Sequence, residues 1–502
     1  MVNPFLRAGR VLPVLAAGLL LAACAPPAPM IQPDEVAEAP PEGLAEFYDQ
    51  ELSWSECGSG YQCAQVSVPM DYDTPDGETI EIAVKMHEAR EQSEGALLTN
   101  PGGPGSSGVE FVESAATIFG DDVLASLDVV GFDPRGVGDS DSVACYDSGE
   151  LEESFGITYE VETDEGWDAY LQDSEDYGQA CLENTGPLLE FVDTVSAAQD
   201  LDVLRAVLDQ PQLTYLGFSY GTFLGATYAE MFPERVGRFV LDGAVDPSLD
   251  FAELNRDQIA AFDVAYRSFI EDCQAGADCV FDGEVQDGID ETVDLLAELA
   301  DDPMETSDPD RPVTDADLLN ALVIALYHVD NWPVLTSALE ALVDGDASQV
   351  QFLSDFAMER EDDGTYPEDQ GAYRAINCLD YPVELDRDAI TAEAETVEGL
   401  SEVYGPYFGY GEVSCATMPF QSDAQRQPIA AEGAPPMVVI GTTRDPATPF
   451  EWAEAMADQL ASGILIEYDG DGHTAYGNNA CVDEAVEAFL LEGQEPQDGL
   501  SC

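Results

Sequence analysis

Short apolar runs alternate with helical stretches in the first half of the chain, and this alternation limits the fold more than any other feature. The runs are "TIEIAVKM", "ALLTN", "LDVVGFD", "LTYLGF" and "RFVLDG". The pattern resumes near the C-terminus with "PMVVIGTT" and "GILIEYDG", followed by a helix in "CVDEAVEAFLLEG". Strands that alternate with helices form a mostly parallel sheet covered by helices. We therefore predict an α/β fold.

The second feature is a long helical stretch between the two groups of strands. Segments such as "EVQDGIDETVDLLAELA" have helical apolar spacing, and Thr314 to Asp317 has the pattern of a capping box. No internal repeat and no second linker occurs. We predict one core, formed by residues 46–247 and 431–502, with a helical cap inserted at 248–430.

The N-terminus has the pattern of an export signal. Residues 1–23 begin with Arg7 and Arg10 and continue with an apolar run that is too short to span a bilayer comfortably. The run ends at Cys24 in a sequence that resembles the bacterial lipobox, so we expect Cys24 to be lipidated. Residues 24–45 are Pro-rich and acidic, as a tether would be. The sequence thus predicts an exported protein anchored to the outer face of the cell membrane by lipid, with release from the cell as an alternative.

The charge of the chain is strongly acidic. Asp and Glu number 102 against 16 Lys and Arg, which gives a formal net charge of −86. Such a surface repels nucleic acid and anionic lipid headgroups. We therefore expect no nucleic-acid partner and no membrane contact apart from the lipid. Because the acids are spread over every segment, they also favour a surface adapted to high salt.

Ten cysteines remain besides Cys24, an even number that suits an oxidising compartment. Cys57–Cys63 and Cys273–Cys279 each enclose a short loop with Gly, so local disulfides are expected there. Chain order then suggests Cys145–Cys181, Cys378–Cys415 and Cys481–Cys502, although spacing leaves the connectivity open. The chain has no Cys-x-x-Cys and only three His, so we predict neither a metal site nor a cofactor.

The stretch "GFSYG", residues 217–221, joins a predicted strand to a predicted helix. A serine nucleophile on a strained strand-to-helix turn needs small residues two positions on either side, because larger side chains would obstruct the turn. Ser219 meets this requirement. The alternative is a tight turn with an incidental Ser.

A serine nucleophile needs a base, and three His are available. His473 lies in "DGDGHTAYG", a Gly-rich loop directly after a predicted strand. His87 ends a strand and His328 falls in the cap, so we expect structural or solvated roles for both. His473 is the candidate base.

The candidate acid is Asp445 in "GTTRDPATPF", again just after a strand, and Asp242 in "VLDG" is its rival. The order Ser219, Asp445, His473 is the Ser, Asp, His order of α/β hydrolases. This order favours Asp445.

The loop "NPGGPGSSG", residues 100–108, follows another predicted strand. Consecutive glycines let backbone N–H groups approach an oxyanion, so we assign an oxyanion hole to the amides of Gly103 and Tyr220. A phosphate-binding loop is the alternative, but no Gly-Lys-Ser/Thr follows. In the nearby "GFDPRGVGDS", Asp133 and Arg135 are expected to form a structural pair.

Six motifs in one order carry a family resemblance: "NPGGPGSSG", "GFDPRGVGDS", "GFSYGTFLGATYAEMFP", "VLDGAVDP", "GTTRDPATP" and "GHTAYG". From about residue 50 to the C-terminus, the chain resembles the secreted actinobacterial tripeptidyl aminopeptidases, relatives of proline iminopeptidases. The resemblance implies an α/β-hydrolase fold with a helical cap between strands 6 and 7. It also implies a serine exopeptidase that needs no cofactor and acts on peptides with a free N-terminus. We expect a monomer.

An aminopeptidase must recognise a free α-amine, which is largely cationic near neutral pH. A fixed carboxylate in the cap can select it, and Asp380 in "NCLDYP" is our candidate because Cys378 and Pro382 would hold it rigidly. A carboxylesterase or lipase with the same three residues is the alternative. A non-catalytic solute-binding lipoprotein is a further alternative, which would have two lobes and no strained serine turn.

Overall fold

The computed structural model describes residues 40–502 apart from positions 156, 158, 277–278, 310, 362, 368 and 421. The predicted export signal, most of the tether and the lipidation site Cys24 lie outside these residues. Within the described part of the chain, no helix is both long and apolar enough to cross a bilayer.

Among the described residues, ten strands form one sheet in the order β1-β2-β3-β5-β4-β6-β7-β8-β9-β10. The strands are β1 (Ser55–Gly58), β2 (Tyr61–Pro69), β3 (Thr79–His87), β4 (Ala96–Asn100), β5 (Asp128–Phe132), β6 (Leu213–Phe218), β7 (Val236–Asp242), β8 (Met437–Arg444), β9 (Gly463–Asp471) and β10 (Leu500–Ser501). Pairings from β1 through β3 to β5 are antiparallel, and those from β5 to β10 are parallel. Because parallel strands end at one edge, the loops after β4, β6, β8 and β9 share that edge.

Helices of the core cover both faces of the sheet. They are α1 (Ala45–Tyr48), α2 (Gly108–Glu113), α3 (Ala115–Ile118), α4 (Asp121–Ser126), α5 (Ser148–Phe155), α6 (Asp164–Thr185), α7 (Thr194–Val207), α8 (Tyr220–Met231), α18 (Phe450–Gln459) and α19 (Ala480–Glu492). Successive strand residues point to opposite faces, so Leu98 packs in the cluster with α7, α8 and α18, whereas Leu97 packs in the cluster with α2 and α19.

The cap lies between β7 and β8 in the chain and has its own apolar cluster. Its helices are α9 (Phe251–Ala275), α10 (Val285–Asp301), α11 (Asp315–Leu326), α12 (Trp332–Val343), α13 (Ser348–Ala357), α14 (Ala372–Asp380), α15 (Arg387–Glu398), α16 (Gly405–Phe408) and α17 (Glu412–Ala416). The cap was expected between strands 6 and 7. It lies between β7 and β8 because the short edge strand β1 precedes the others and raises each strand number by one. Exposed and polar side chains dominate β1, which left it without an apolar signal.

The α/β fold predicted from the sequence is confirmed, and each of the seven apolar runs forms a strand. Three strands were missed: β1 and β10 are short, and polar residues interrupt the apolar positions of β2. Five disulfides are present in the part of the chain that the structure describes, and they join the pairs that short loops and chain order suggested: Cys57–Cys63, Cys145–Cys181, Cys273–Cys279, Cys378–Cys415 and Cys481–Cys502.

The expected pair between Asp133 and Arg135 is wrong. Arg135 is fully buried and donates two hydrogen bonds of 2.7 Å to Asp200 in α7. Asp133 instead accepts from the Ser107 hydroxyl and the Val109 amide, so it holds the start of α2. Asp133 and Arg135 thus make separate contacts. Asp200 can bond to the guanidinium through both carboxylate oxygens, whereas an Asp two positions away in the chain cannot reach that geometry.

Candidate active site

Ser219 lies on a strained turn between β6 and α8. Its backbone has φ 53° and ψ −124°, a region that non-glycine residues rarely adopt and that costs about 1–3 kcal/mol. The Ser219 N–H donates to the Asp242 carbonyl at 2.9 Å, which ties the turn to the end of β7. The turn predicted from "GFSYG" is therefore present, with Ser219 at its apex.

The two glycines of this turn leave no room for a side chain. A Cβ on Gly217 would lie 2.4 Å from the Gly221 carbonyl oxygen, and a Cβ on Gly221 would lie 2.8 Å from the Asn100 carbonyl oxygen. Small residues two positions before and after Ser219 are thus a packing requirement, as the sequence argument assumed.

His473 and Asp445 form a close pair at the ends of β9 and β8. The Nδ1 atom of His473 lies 2.9 Å from each carboxylate oxygen of Asp445. Asp445 is 2 % exposed, and its Oδ1 also accepts from the amides of Ala447 and Thr448. These bonds fix the carboxylate, which in turn fixes the orientation of the imidazole.

Burial and charge act in opposite directions on the His473 imidazolium. Burial lowers its pKa, while the Asp445 carboxylate beside Nδ1 raises it, with a smaller contribution from Asp242. The net pKa of His473 is raised above its ordinary value. An imidazole stabilised in this way accepts a proton more readily.

The rival acid Asp242 is fully buried but does not bond to the imidazole. Its carboxylate accepts from the backbone amides of Ala475 and Tyr476, two and three residues after His473. Burial raises the pKa of Asp242 to about 6. Asp242 therefore supports the loop that carries His473, and Asp445 is the acid that contacts it.

Gly243 connects the serine turn to the imidazole. It follows Asp242, whose carbonyl accepts from Ser219, and a Cβ placed on it would lie 3.2 Å from His473 Cε1. The structure thus brings Ser219, Asp445 and His473 to one edge of the sheet.

The glycine loop after β4 packs directly on the serine turn. A Cβ on Gly102 would lie 2.9 Å from the Ser219 Cβ and 3.2 Å from the Tyr220 nitrogen. Because Tyr220 is the first residue of α8, its N–H has no carbonyl partner within the helix. The Tyr220 amide and the backbone at Gly102 therefore lie beside Ser219, whereas a Cβ on Gly103 would face Gly105 and Ser106 of its own loop.

Asp380 ends α14 and is 6 % exposed. Its two oxygens accept from the Thr194 amide at 3.0 Å and the Thr194 hydroxyl at 2.6 Å. The same hydroxyl contacts the Tyr220 hydroxyl, so Asp380 connects to the residue after Ser219 through one side chain. Burial raises the pKa of Asp380 to about 7.

Sequence reasoning missed Thr448 and Gly102. The Thr448 hydroxyl lies 3.1 Å from Asp445 Oδ2 and 3.3 Å from His473 Nδ1. Its position three residues after Asp445, in a turn with two Pro, was the available signal. Of the other histidines, His87 stacks edge-on against Tyr61, and His328 bonds to Asn478. Among the described residues, no group of three His, Cys, Asp or Glu side chains could hold a metal ion.

Comparison with known proteins identifies relatives over most of the chain. Residues 401–502 match the Abhydrolase_4 family of TAP-like proteins. Serine protease Hip1 from Mycobacterium tuberculosis is 34% identical, over 90% of this chain and 91% of the relative. Carboxylesterase B from the same species is 35% identical, over 88% and 86%. The tripeptidyl aminopeptidase of Streptomyces lividans is 30% identical, over 90% and 86%.

These relatives and the observed fold agree. Identity of 30% and 34% across most of the length shows common family membership, and the sheet, cap and serine turn are those of an α/β hydrolase. The chain therefore belongs to the α/β-hydrolase family of TAP-like serine hydrolases, together with the mycobacterial Hip1 and the Streptomyces tripeptidyl aminopeptidase.

Proposed function

We propose that this serine hydrolase is an exported exopeptidase that releases short peptides, tripeptides in particular, from free N-termini of polypeptides. The observation that carries the proposal is the His473–Asp445 pair beside the strained Ser219 turn. Two relatives are named as a serine protease and a tripeptidyl aminopeptidase, which favours a peptide bond as the target.

The proposed chemistry is acyl transfer to water in two steps. Ser219 Oγ attacks the scissile carbonyl carbon while His473 Nε2 takes the hydroxyl proton. His473 then returns that proton to the leaving amine, and the C–N bond breaks to give an acyl-enzyme. A water molecule, deprotonated by His473, releases the peptide in the second step. Asp445 holds the imidazole in the required orientation throughout.

The oxyanion that forms in each step needs donors, and we assign the amides of Gly103 and Tyr220 to it. The Tyr220 N–H belongs to the first turn of α8, where the helix dipole also favours negative charge. The close approach of Gly102 to Tyr220 N supports the assignment, because it brings the glycine loop beside that amide.

Selection of a free N-terminus is assigned to Asp380. Each carboxylate oxygen retains an unused lone pair after its bond to Thr194, so an ammonium group could still be accepted. Burial favours the neutral acid, whereas a bound cation would favour the carboxylate. Contact through Thr194 to Tyr220 supports a position near the acyl site.

A carboxylesterase is the second candidate, since Carboxylesterase B is 35% identical to this chain. The two candidates differ in what they reject. Hydrolysis of free tripeptide p-nitroanilides, their N-acetylated forms and p-nitrophenyl esters should be compared at one pH. An exopeptidase cleaves the free peptides and largely rejects the acetylated ones. Preference for esters, with no discrimination at the N-terminus, would favour the esterase.

Export and lipid anchoring complete the proposal. Support comes from the lipobox-like sequence at Cys24, which lies outside the described residues, and from five disulfides, which suit an oxidising compartment. We propose that lipid on Cys24 holds the enzyme at the outer face of the membrane and that the enzyme acts as a monomer.

A further inference from the structure

The cap touches the loop that carries His473 through backbone as well as side chains. The His473 N–H donates to the carbonyl of Tyr327, directly after α11, at 2.8 Å. Next to this bond, His328 Nε2 lies 2.8 Å from Asn478 Oδ1. Gly472 has φ +98°, and a Cβ there would lie 3.1 Å from the Tyr327 oxygen. The loop therefore needs Gly472 to approach the cap this closely.

The side chain of Tyr327 also contacts the imidazole. The two ring centroids are 5.2 Å apart, and the ring planes meet at 80°, the favourable edge-to-face arrangement. Phe262 of α9 packs on the Tyr327 ring, with centroids 6.4 Å apart. The ring that contacts His473 is thus supported by a cap helix.

We propose that Tyr327 is a positioning residue for the catalytic base, holding His473 by its backbone carbonyl and restricting the imidazole with its ring. The inference rests on the proposed roles of Ser219, Asp445 and His473. An imidazole that can turn about its Cβ–Cγ bond loses the Nδ1 contact with Asp445, and the Tyr327 ring occupies space into which it would turn. On this account the cap contributes to chemistry and does not serve only as a lid.

Water access gives the role a measurable signature. A cavity of about 380 Å³ is lined by both Tyr327 and His473, so removal of the ring enlarges the space for water beside the imidazole. Burial lowers the pKa of the His473 imidazolium and Asp445 raises it, with a net rise, and both effects weaken when the imidazole turns away from Asp445 and water enters. The imidazolium pKa then falls back towards its ordinary value, and the acid limb of the kcat/KM profile moves to lower pH.

Other ionisable groups near His473 are retained when Tyr327 is replaced. They are Asp445 after β8, Asp242 at the end of β7, Tyr468 and Asp471 in β9, and His328 and Asp330 in the cap. Burial keeps the pKa of the Tyr327 hydroxyl well above its usual range, so this group stays neutral in the pH range of interest. A shift of the profile therefore reports on the ring and not on loss of a charge.

The test compares Tyr327→Phe, which keeps the ring, with Tyr327→Leu, which keeps apolar bulk without it. The substrate is p-nitrophenyl acetate, which has no N-terminus, so recognition of a free amine does not affect the result. Tyr327→Phe should match the wild type. Tyr327→Leu should lower kcat by about tenfold with little change in KM, and should lower the apparent pKa of the acid limb. Val343→Ala, at the end of α12 in the same cap and 56% exposed, is the control that leaves both unchanged.

Two results would overturn the inference. One is a Tyr327→Leu enzyme with wild-type kcat and pH profile. The other is a rise in KM alone, which would make Tyr327 a substrate contact. Melting temperatures of all variants verify that they fold. A His473→Ala variant distinguishes failure of this inference from failure of the proposed roles of Ser219, Asp445 and His473. Only if those roles are wrong would the His473→Ala variant stay active and react with a fluorophosphonate.

Discussion

His473 Nδ1 lies 2.9 Å from both oxygens of the Asp445 carboxylate, whereas the Asp242 carboxylate accepts from backbone amides of the loop that carries His473. Two buried acids at neighbouring strand ends thus have different tasks. One sets the orientation of the imidazole, and the other holds the loop behind it.

This difference predicts unequal effects of two matched substitutions. Asp445→Asn should lower kcat by about 10³- to 10⁴-fold, because the amide no longer stabilises the correct imidazole orientation and its positive charge. Asp242→Asn keeps an oxygen that can accept from Ala475 and Tyr476, so its kcat should fall by no more than about tenfold. Steady-state kinetics on a p-nitrophenyl ester measure both. The reverse order would assign the acid to Asp242.

Gly102 provides a test of the close approach between the glycine loop and the serine turn. With φ +101° and a Cβ that would lie 2.6 Å from the Phe218 carbonyl oxygen, Gly102→Ala should displace the loop. We expect a loss in kcat of about 10²-fold, since an oxyanion donor moves. Gly433→Ala is the control, because its φ is +98° and a Cβ there would have no described atom within 4 Å apart from its own chain neighbours. Equal activity of the two variants would show that the Gly102 contact is not needed.

The raised pKa of Asp380 predicts that hydrolysis of free peptides depends on pH in a way that hydrolysis of esters does not. Burial raises its pKa to about 7, so the carboxylate that would attract an ammonium group forms only as the pH rises through that value. The ratio of kcat/KM for a free tripeptide p-nitroanilide to that for p-nitrophenyl acetate should therefore rise between pH 6 and pH 8, until the α-amine, with a pKa of about 8, deprotonates.

In Asp380→Asn this rise should disappear, and KM for free peptides should increase by about tenfold or more, because a neutral amide attracts an ammonium group less strongly. Labelling by a small fluorophosphonate should change little. A variant that keeps full preference for free over N-acetylated peptides would exclude Asp380, and another cap carboxylate would have to be sought.

The anchor can be tested by fractionation. Cys24→Ser should move an active enzyme from the membrane fraction to the soluble fraction, because acylation at Cys24 would be its attachment. Processing of the signal should be verified by mass spectrometry of the N-terminus. A processed variant that stays with the membrane would contradict the lipid anchor.

Local sequence patterns were sufficient for the central sheet. Buried strands such as β4 and β8 are continuous apolar runs, and Ser219 is marked by the two glycines that its turn requires. The candidate base and acid could be found because each follows such a strand. Edge strands such as β1 have exposed side chains and leave no such pattern.

Contacts between distant segments could not be predicted in this way. Tyr327 and His473 are far apart in the chain, and neither segment carries a pattern that pairs them. For the same reason, the sequence did not show that Arg135 bonds to Asp200 and not to Asp133, two positions before it. The packing of Gly102 on Ser219 likewise depends on the parallel pairing of β4 with β6, which only the folded sheet establishes.

The central claim is that Ser219 forms the acyl-enzyme, and identification of the residue modified by a fluorophosphonate tests it most directly. The intact enzyme should be inactivated with one adduct, located by peptide mapping at Ser219. Ser219→Ala should fold normally, take up no label and lose peptidase and esterase activity by about 10⁴-fold or more. An adduct on another residue, or a Ser219→Ala variant with near-normal activity, would contradict the account.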